Sequence, residues 1–245
     1  MRIAILFSGG KDSTFTTYYY LQQGWDVACL VNLESEREDS YMFQKTSNHI
    51  TLLQAEALGI PLITQKTGGE KEKELLDLKK ALITAKKKYN IDGVAVGALF
   101  SDYQQERVNR ICHALNLKTY APLWHKNQAM LLQEMIHAGF IIMIQSIAAD
   151  GLTEKWLGRI LDEKVVCELE QLSKTKGIHV AFEGGEAETI VLDGPIFKKK
   201  IKIVESEKKM ENECTGVLIV KKAELVEKMQ LRYISSHFLS RQSLQ

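Results

Sequence analysis

In the first half of the chain, apolar positions form short continuous runs, each followed by a longer stretch with helical spacing. "RIAILF" (Arg2 to Phe7), "DVACLVNL" (Asp26 to Leu33) and "DGVAVGAL" (Asp92 to Leu99) show no polar alternation. That is how strands buried on both faces read. Helices are predicted over Asp12 to Gln23, stopped by Gly24, and over Thr46 to Leu58, stopped by Gly59 and followed by "IPLIT". Between Glu70 and Tyr89, Leu75, Leu78, Leu82, Ala85 and Tyr89 recur three or four residues apart and make one apolar stripe. Glu70, Glu72 and Glu74 open that helix and Lys86, Lys87 and Lys88 close it, as the helix dipole favours. Val108, Ile111, Cys112 and Leu115 mark a further helix. Strands alternating with helices predict an α/β fold: a Rossmann-like parallel sheet with right-handed crossovers.

Beyond about Leu123 the pattern loosens. A helix is expected near Ala129 to Ala138, ended by Gly139, then a strand from Ile141 to Ala148 and a helix from Glu163 to Lys176. Short strand candidates follow: "AETIVL", "KKIKIVE" and "TGVLIVKK". The expected organisation is a first domain over residues 1–125, a smaller C-terminal α+β domain over 126–230, and a frayed tail over 231–245.

Composition narrows the classes. Of 245 residues, 45% are hydrophobic and 26% charged, ordinary for a soluble globular protein. The net charge of +1 carries no nucleic-acid footprint, so no nucleic-acid partner is expected. Cys29, Cys112, Cys167 and Cys214 form no CxxC pair, which argues against a zinc ribbon or a dithiol redox motif. Scattered thiols suit a reducing cytosol, and a cytoplasmic location is expected. Lys11 and Asp12 interrupt the first apolar run, so no signal peptide is expected. "GFIIMI" is too short to span a bilayer. The six histidines show no metal-binding spacing, and His125 and His179 read as structural. Lys198 to Lys200 and Lys202 read as a strand edge that could help dock a protein substrate.

The stretch "LFSGGKDST" (Leu6 to Thr14) places two glycines, a lysine and hydroxyls between a strand and a helix. Glycines let the backbone approach phosphates, and free N–H groups at the helix start point at them. The ordinary ATPase loop, GxxxxGK[ST], is absent: Ile5 stands five residues before Gly10, and Asp12 follows Lys11. A plain Gly-Gly turn capped by Asp12 is the alternative from spacing alone.

SGGKDS resembles the loop of the N-type ATP pyrophosphatases, the PP-loop superfamily. Its members cleave ATP between the α- and β-phosphates and adenylate a substrate. Further stretches resemble one family within it, the diphthine–ammonia ligases. They are "DSYMFQ" (Asp39 to Gln44), "QAEALGIPL" (Gln54 to Leu62), "VGALFSDYQQERV" (Val96 to Val108), "WLGRILDE" (Trp156 to Glu163) and "EGGEAETIVLDGPIF" (Glu183 to Phe197). The likeness covers roughly Arg2 to Val220. At Ala187 the family usually carries an aromatic residue, whose loss is expected to loosen substrate contact.

The resemblance implies an adenine nucleotide alpha hydrolase-like fold and a reaction. Diphthine, a modified histidine of elongation factor 2, is amidated to diphthamide by ammonia, through an acyl-adenylate, with ATP giving AMP and pyrophosphate. ATP and Mg²⁺ are the implied cofactors, and a homo-oligomer is left open. Ser8, Gly9, Gly10, Lys11, Asp12 and Ser13 would hold the phosphates, with Lys11 catalytic and Asp12 serving the metal or loop rigidity. Asn32, Gly97 and Ala98, at strand ends, would line the nucleotide site, although the two small residues could equally pack beneath a helix. Tyr103 and Arg107 would contact nucleotide or substrate, or else belong to a solvated helix start. Glu183, Gly184, Gly185, Glu186, Glu188 and Thr189 would form the acyl-acceptor side. If the strand is extended, Glu186 and Glu188 face one side while Glu183 returns through the Gly184-Gly185 turn. The three acids make sense if they share cations, ammonium or diphthine's trimethylammonium, and one could take ammonium's proton. Tyr41, Tyr103 and Trp124 are candidates to hold a quaternary ammonium. Free ammonia is inferred because no amidotransferase domain and no nucleophilic cysteine is visible. Two other readings stand beside this one: another PP-loop adenylating enzyme, such as one for tRNA modification, and an ATP-binding regulator without turnover.

Overall fold

The computed structural model describes residues 1–35, 41–68, 71–97 and 102–228. A five-stranded sheet has the order β3-β2-β1-β4-β5, built from β1 (Arg2–Leu6), β2 (Asp26–Ser35), β3 (Leu62–Thr67), β4 (Gly93–Ala95) and β5 (Lys118–Tyr120). Every pairing in it is parallel. The helices between the strands are α1 (Lys11–Gln22), α2 (Tyr41–Leu58), α3 (Lys71–Tyr89) and α4 (Asp102–Ala114). The apolar runs are explained by two cores on opposite faces of this sheet. Ile3 and Ile5 of β1 join one, with Phe15 and Ile50. Ala4 joins the other, with Leu78, Leu82, Val94 and Cys112. Successive strand residues point to opposite faces, so burial on both requires an unbroken apolar run.

The second sheet has the order β7-β6-β9-β8 and antiparallel pairing, from β6 (Ile141–Ala148), β7 (Ala187–Asp193), β8 (Lys199–Asn212) and β9 (Thr215–Glu227). Helices α5 (Gln128–His137) and α6 (Glu163–Lys176) accompany it. Asn127 caps α5, accepting from Met130 N at 3.0 Å; Asp162 caps α6, accepting from Val165 N at 2.7 Å; and Gly177 ends α6 in the left-handed region at φ 74°. The two sheets share one core: Ile5, Leu30 and Ile50 belong to the same cluster as Ile142, Ile144 and Leu218. Helix α2 lies between them and packs on β2 as well as on β7, β8 and β9.

Several boundaries differ from expectation. α2 begins at Tyr41 rather than Thr46, because Met42, Gln44 and Lys45 are good helix formers that extend it. β4 stops at Ala95 rather than Leu99; its neighbours offer ladders over Ile3 to Ile5 and Lys118 to Tyr120 only. β8 runs on to Asn212 and β9 to Glu227, well past the expected ends. The start of the expected third helix at Glu70, the strand residue Leu99 and the tail over 231–245 lie outside the described residues.

Candidate active site

The order β3-β2-β1-β4-β5 puts the switch point between β1 and β4, where open α/β sheets receive ligands beyond their carboxyl ends. The SGGKDS loop lies there. Phe7 N still donates to Val31 O at 2.8 Å, after which the chain turns at Gly9, φ 82°. Only glycine suits this turn, since a β-carbon would also run into the Gln54 side chain. Gly10 is the N-cap of α1 and has no side-chain cap, so the loop faces the positive end of the helix dipole, with Lys11 N of the first turn already taken by Thr189 Oγ1. Hydroxyls knit the loop: Ser13 Oγ lies 3.3 Å from both Ser8 N and Ser8 Oγ, and Thr14 Oγ1 donates to Gly10 O at 2.9 Å. Gly97 abuts the same turn. A β-carbon there would sit 2.8 Å from the Asp12 carbonyl carbon and 2.9 Å from Ser13 N. That contact calls for glycine on packing grounds alone.

Lys11 is 5% exposed, and its Nζ reaches Asp12 Oδ2 at 2.7 Å and Glu183 Oε1 at 3.8 Å. The other oxygen, Asp12 Oδ1, is buried and has no hydrogen-bond partner. Burial pushes the Glu183 carboxyl up to about 6; Lys11 and His179 oppose this, while Asp12 and Glu186 add to it. Phe182, just before Glu183, is buried with φ 64°. A bulky residue in the left-handed region is strained, and here the strain lies in the turn that aims Glu183 back at Lys11.

The other two carboxylates do not pair as an extended strand would have them. Residue 186 lies before β7 begins, and its side chain turns into its own loop. Glu186 Oε1 accepts from His179 N at 2.7 Å and faces His179 Nδ1 at 2.9 Å, and Oε2 accepts from Gly184 N at 2.8 Å. Burial acts to raise its pKa, but these bonds prevail and hold it below the usual carboxylate range. A β-carbon at Gly184 would meet Glu186 Oε1 at 2.7 Å and His179 Nδ1 at 2.8 Å, so a larger residue would displace that pair. Gly185 makes the turn at φ 83°. Glu188 stands opposite Ser146 on β6. The residue is exposed, yet partial desolvation of its carboxyl raises it despite the hydrogen bond from Ser146. Ala187 is 8% exposed and belongs to the core, so its difference from the family pattern bears on packing.

β7 is fastened directly onto the loop. Lys11 N donates to Thr189 Oγ1 at 3.1 Å and Val191 N to Gly9 O at 3.2 Å. Gln54 Nε2 donates to Gly9 O at 2.7 Å and to Val191 O at 2.8 Å, a clamp from α2 on both sheets at once. Gln54, Ser146 and the His179 ring were missed as site residues. A fully buried glutamine on the helix face that carries Ile50, Thr51, Ala55 and Leu58 was the available signal for Gln54; the other two depend on strand register and a loop path that no local pattern encodes.

The remaining candidates are more peripheral. Asn32 is 7% exposed and one register step past Val31, level with Phe7, but β2 continues to Ser35 beyond it. Arg107 is half-buried on α4. Ala98 and the side chains of Tyr41 and Tyr103 lie outside the described residues. Trp124 packs edge-on against His125, ring centroids 5.0 Å apart. Among the described residues there is no group of three or more His, Cys, Asp or Glu able to hold a metal, and no helix long and apolar enough to cross a membrane. Burial pushes the Cys29 thiol up to about 12 and raises that of Cys112, far from nucleophilic.

A parallel sheet with a glycine-rich loop at its switch point, closed by an acidic segment from a second, antiparallel sheet, defines an α/β protein of Rossmann-like architecture. Residues 1–119 match the diphthamide synthase N-terminal domain and residues 127–226 the diphthamide synthase C-terminal domain. A mouse protein named diphthine–ammonia ligase is 42% identical over 231 residues, 86% of each chain. Its human namesake is 41% identical over 226 residues, 84% of each. A namesake from Schizosaccharomyces pombe is 36% identical over 84% of this chain, which spans 37% of that longer protein. The chain belongs to the diphthine–ammonia ligase family.

Proposed function

We infer that this chain catalyses the ATP-dependent amidation of diphthine on elongation factor 2 by ammonia, giving diphthamide, AMP and pyrophosphate, in the cytoplasm. The observation that carries the reading is the fastening of β7 onto the loop through Thr189, Val191 and Gln54. It brings the acidic segment against the phosphate-binding turn, as adenylation of a carboxylate followed by acyl transfer to ammonia requires. We assign ATP binding to residues 1–125 and the acyl substrate to 126–230.

A carboxylate is a poor electrophile. Its oxygen attacks the α-phosphorus of ATP, pyrophosphate leaves, and the acyl-adenylate then has a good leaving group for ammonia. The N–H groups at the start of α1 and the Lys11 ammonium stabilise the charge that develops on pyrophosphate. Lys11 is preorganised for this: it is buried and held between Asp12 and Glu183. Magnesium fits the donor set here. Asp12 Oδ1 is a buried acceptor without a hydrogen-bond partner, and Mg²⁺ characteristically takes one or two carboxylates while keeping water and phosphate oxygens. Asp12 would hold the ion, which would neutralise phosphate charge. We assign Glu188 to the acyl side and Glu183, turned toward Lys11, to its junction with the phosphates; burial raises both carboxyls, and a cationic substrate would favour their ionised forms.

The test is to supply diphthine-bearing elongation factor 2, ATP and ammonium and to weigh the protein product. Conversion of the carboxylate to the amide, with AMP formed in equal amount, is expected; an unchanged protein mass overturns the reading.

A further inference from the structure

The ammonium ion has no lone pair, so a nitrogen drawn from an ammonium reservoir must lose a proton before it can attack a carbonyl. Of the groups around the acceptor loop, Glu186 is a weak base. It accepts from two backbone N–H groups and is held ionised below the usual range. Glu183 is turned toward Lys11. His179 is different. Its Nδ1 lies 2.9 Å from Glu186 Oε1, and an ionised carboxylate can only accept, so Nδ1 carries the proton in that contact. In the neutral ring, Nε2 is then the atom with the free lone pair. A carboxylate that fixes the tautomer and balances the charge on protonation is the arrangement that makes an imidazole an effective base. The ring is 55% exposed, which gives ammonium an approach and the proton an exit. It is close enough to Glu183 to act electrostatically on that carboxyl, and Lys11 and Asp12 lie behind Glu183. Its position is fixed by the left-handed turn at Phe182 and by Gly184, where any side chain would displace ring or carboxylate.

Resting on the ligase reading above, we propose that His179, oriented by Glu186, is the general base that converts ammonium to ammonia at the acyl-adenylate. Ammonium gives one proton to His179 Nε2, and Glu186 balances the imidazolium. The freed nitrogen lone pair forms the C–N bond as the C–O bond to AMP breaks, with its electron pair going to the AMP phosphate. The second proton lost by the new amide nitrogen passes to water, as does the first through the exposed edge of the ring.

The experiment compares two nucleophiles. Hydroxylamine is uncharged at neutral pH and needs no base before attack. In His179→Ala, with diphthine-bearing elongation factor 2 and ATP, ammonium-dependent amidation should fall by about 10²- to 10⁴-fold, the usual contribution of a general base. Hydroxamate formation with hydroxylamine should fall less than about tenfold, and ATP–pyrophosphate exchange, which also reports a folded enzyme, should stay within about threefold. Equal losses with both nucleophiles would make His179 a structural residue and overturn the proposal, as would undiminished amidation. A wild-type protein that forms neither amide nor hydroxamate overturns the ligase reading itself, and the proposal with it.

Discussion

Glu183 shows how one side chain can trade stability for chemistry. Burial lifts its carboxyl to about 6 from an ordinary 4.5, so the folded state binds its proton more tightly than the unfolded chain does. Its contribution is therefore fully present below about pH 4.5 and is lost as pH rises through about 6. Glu183→Gln, which cannot ionise, should be more stable than the wild type above about pH 6, on the order of 2 kcal/mol, with no gain below about pH 4.5. Thermal unfolding across that range checks this, and amidation should fall in the same variant. Glu186→Gln should behave oppositely. An amide cannot accept from His179 N, His179 Nδ1 and Gly184 N with two oxygens, so a loss of about 1–3 kcal/mol is expected at neutral pH. The sequence brought Glu183, Glu186 and Glu188 forward as one cluster. It did not reveal that Glu186 turns inward, because that depends on positive φ at Phe182 and Gly185, which residue type alone does not announce for phenylalanine.

Two small contacts between elements carry the union of loop, helix and second sheet. Gln54 on α2 donates to Gly9 O and Val191 O, so Gln54→Leu removes one donor from each carbonyl, Gly9 O keeping its bond from Val191 N. A loss of about 2–4 kcal/mol in stability and a raised KM for ATP are expected, measured by denaturant unfolding and initial rates. Gly97→Ala would press a methyl group against the Asp12–Ser13 backbone, which cannot yield without moving the first turn of α1. We expect ATP binding, followed by calorimetric titration, to weaken at least tenfold with the rest of the fold intact. The buried strands were legible because a run such as "RIAILF" has one explanation, two covered faces. The far halves of β8 and β9 were not. "ESEKKMEN" is solvated on both faces except at Met210 and shows no alternation, so backbone pairing and ion pairs such as Lys221 with Glu207 at 2.6 Å hold it as a strand.

At the scale of the whole molecule, the parallel and antiparallel sheets share one apolar cluster that runs from Ile5 and Phe7 through Ile50 to Ile142 and Leu218. The division proposed above, between an ATP-binding part and an acyl-substrate part, therefore lies within a joint core. A single cooperative calorimetric transition is expected, with ATP raising its midpoint; two separated transitions would show that the shared cluster does not couple the halves. The alternation of strand and helix made the first sheet legible. The joint core was hidden because the residues that build it lie far apart in the chain. The position of bond cleavage in ATP tests the central claim most directly. With diphthine-bearing elongation factor 2 and ammonium, AMP and pyrophosphate should appear in equal amounts to each other and to diphthamide. Stoichiometric ADP and orthophosphate, or AMP release with no amide formed, would contradict it.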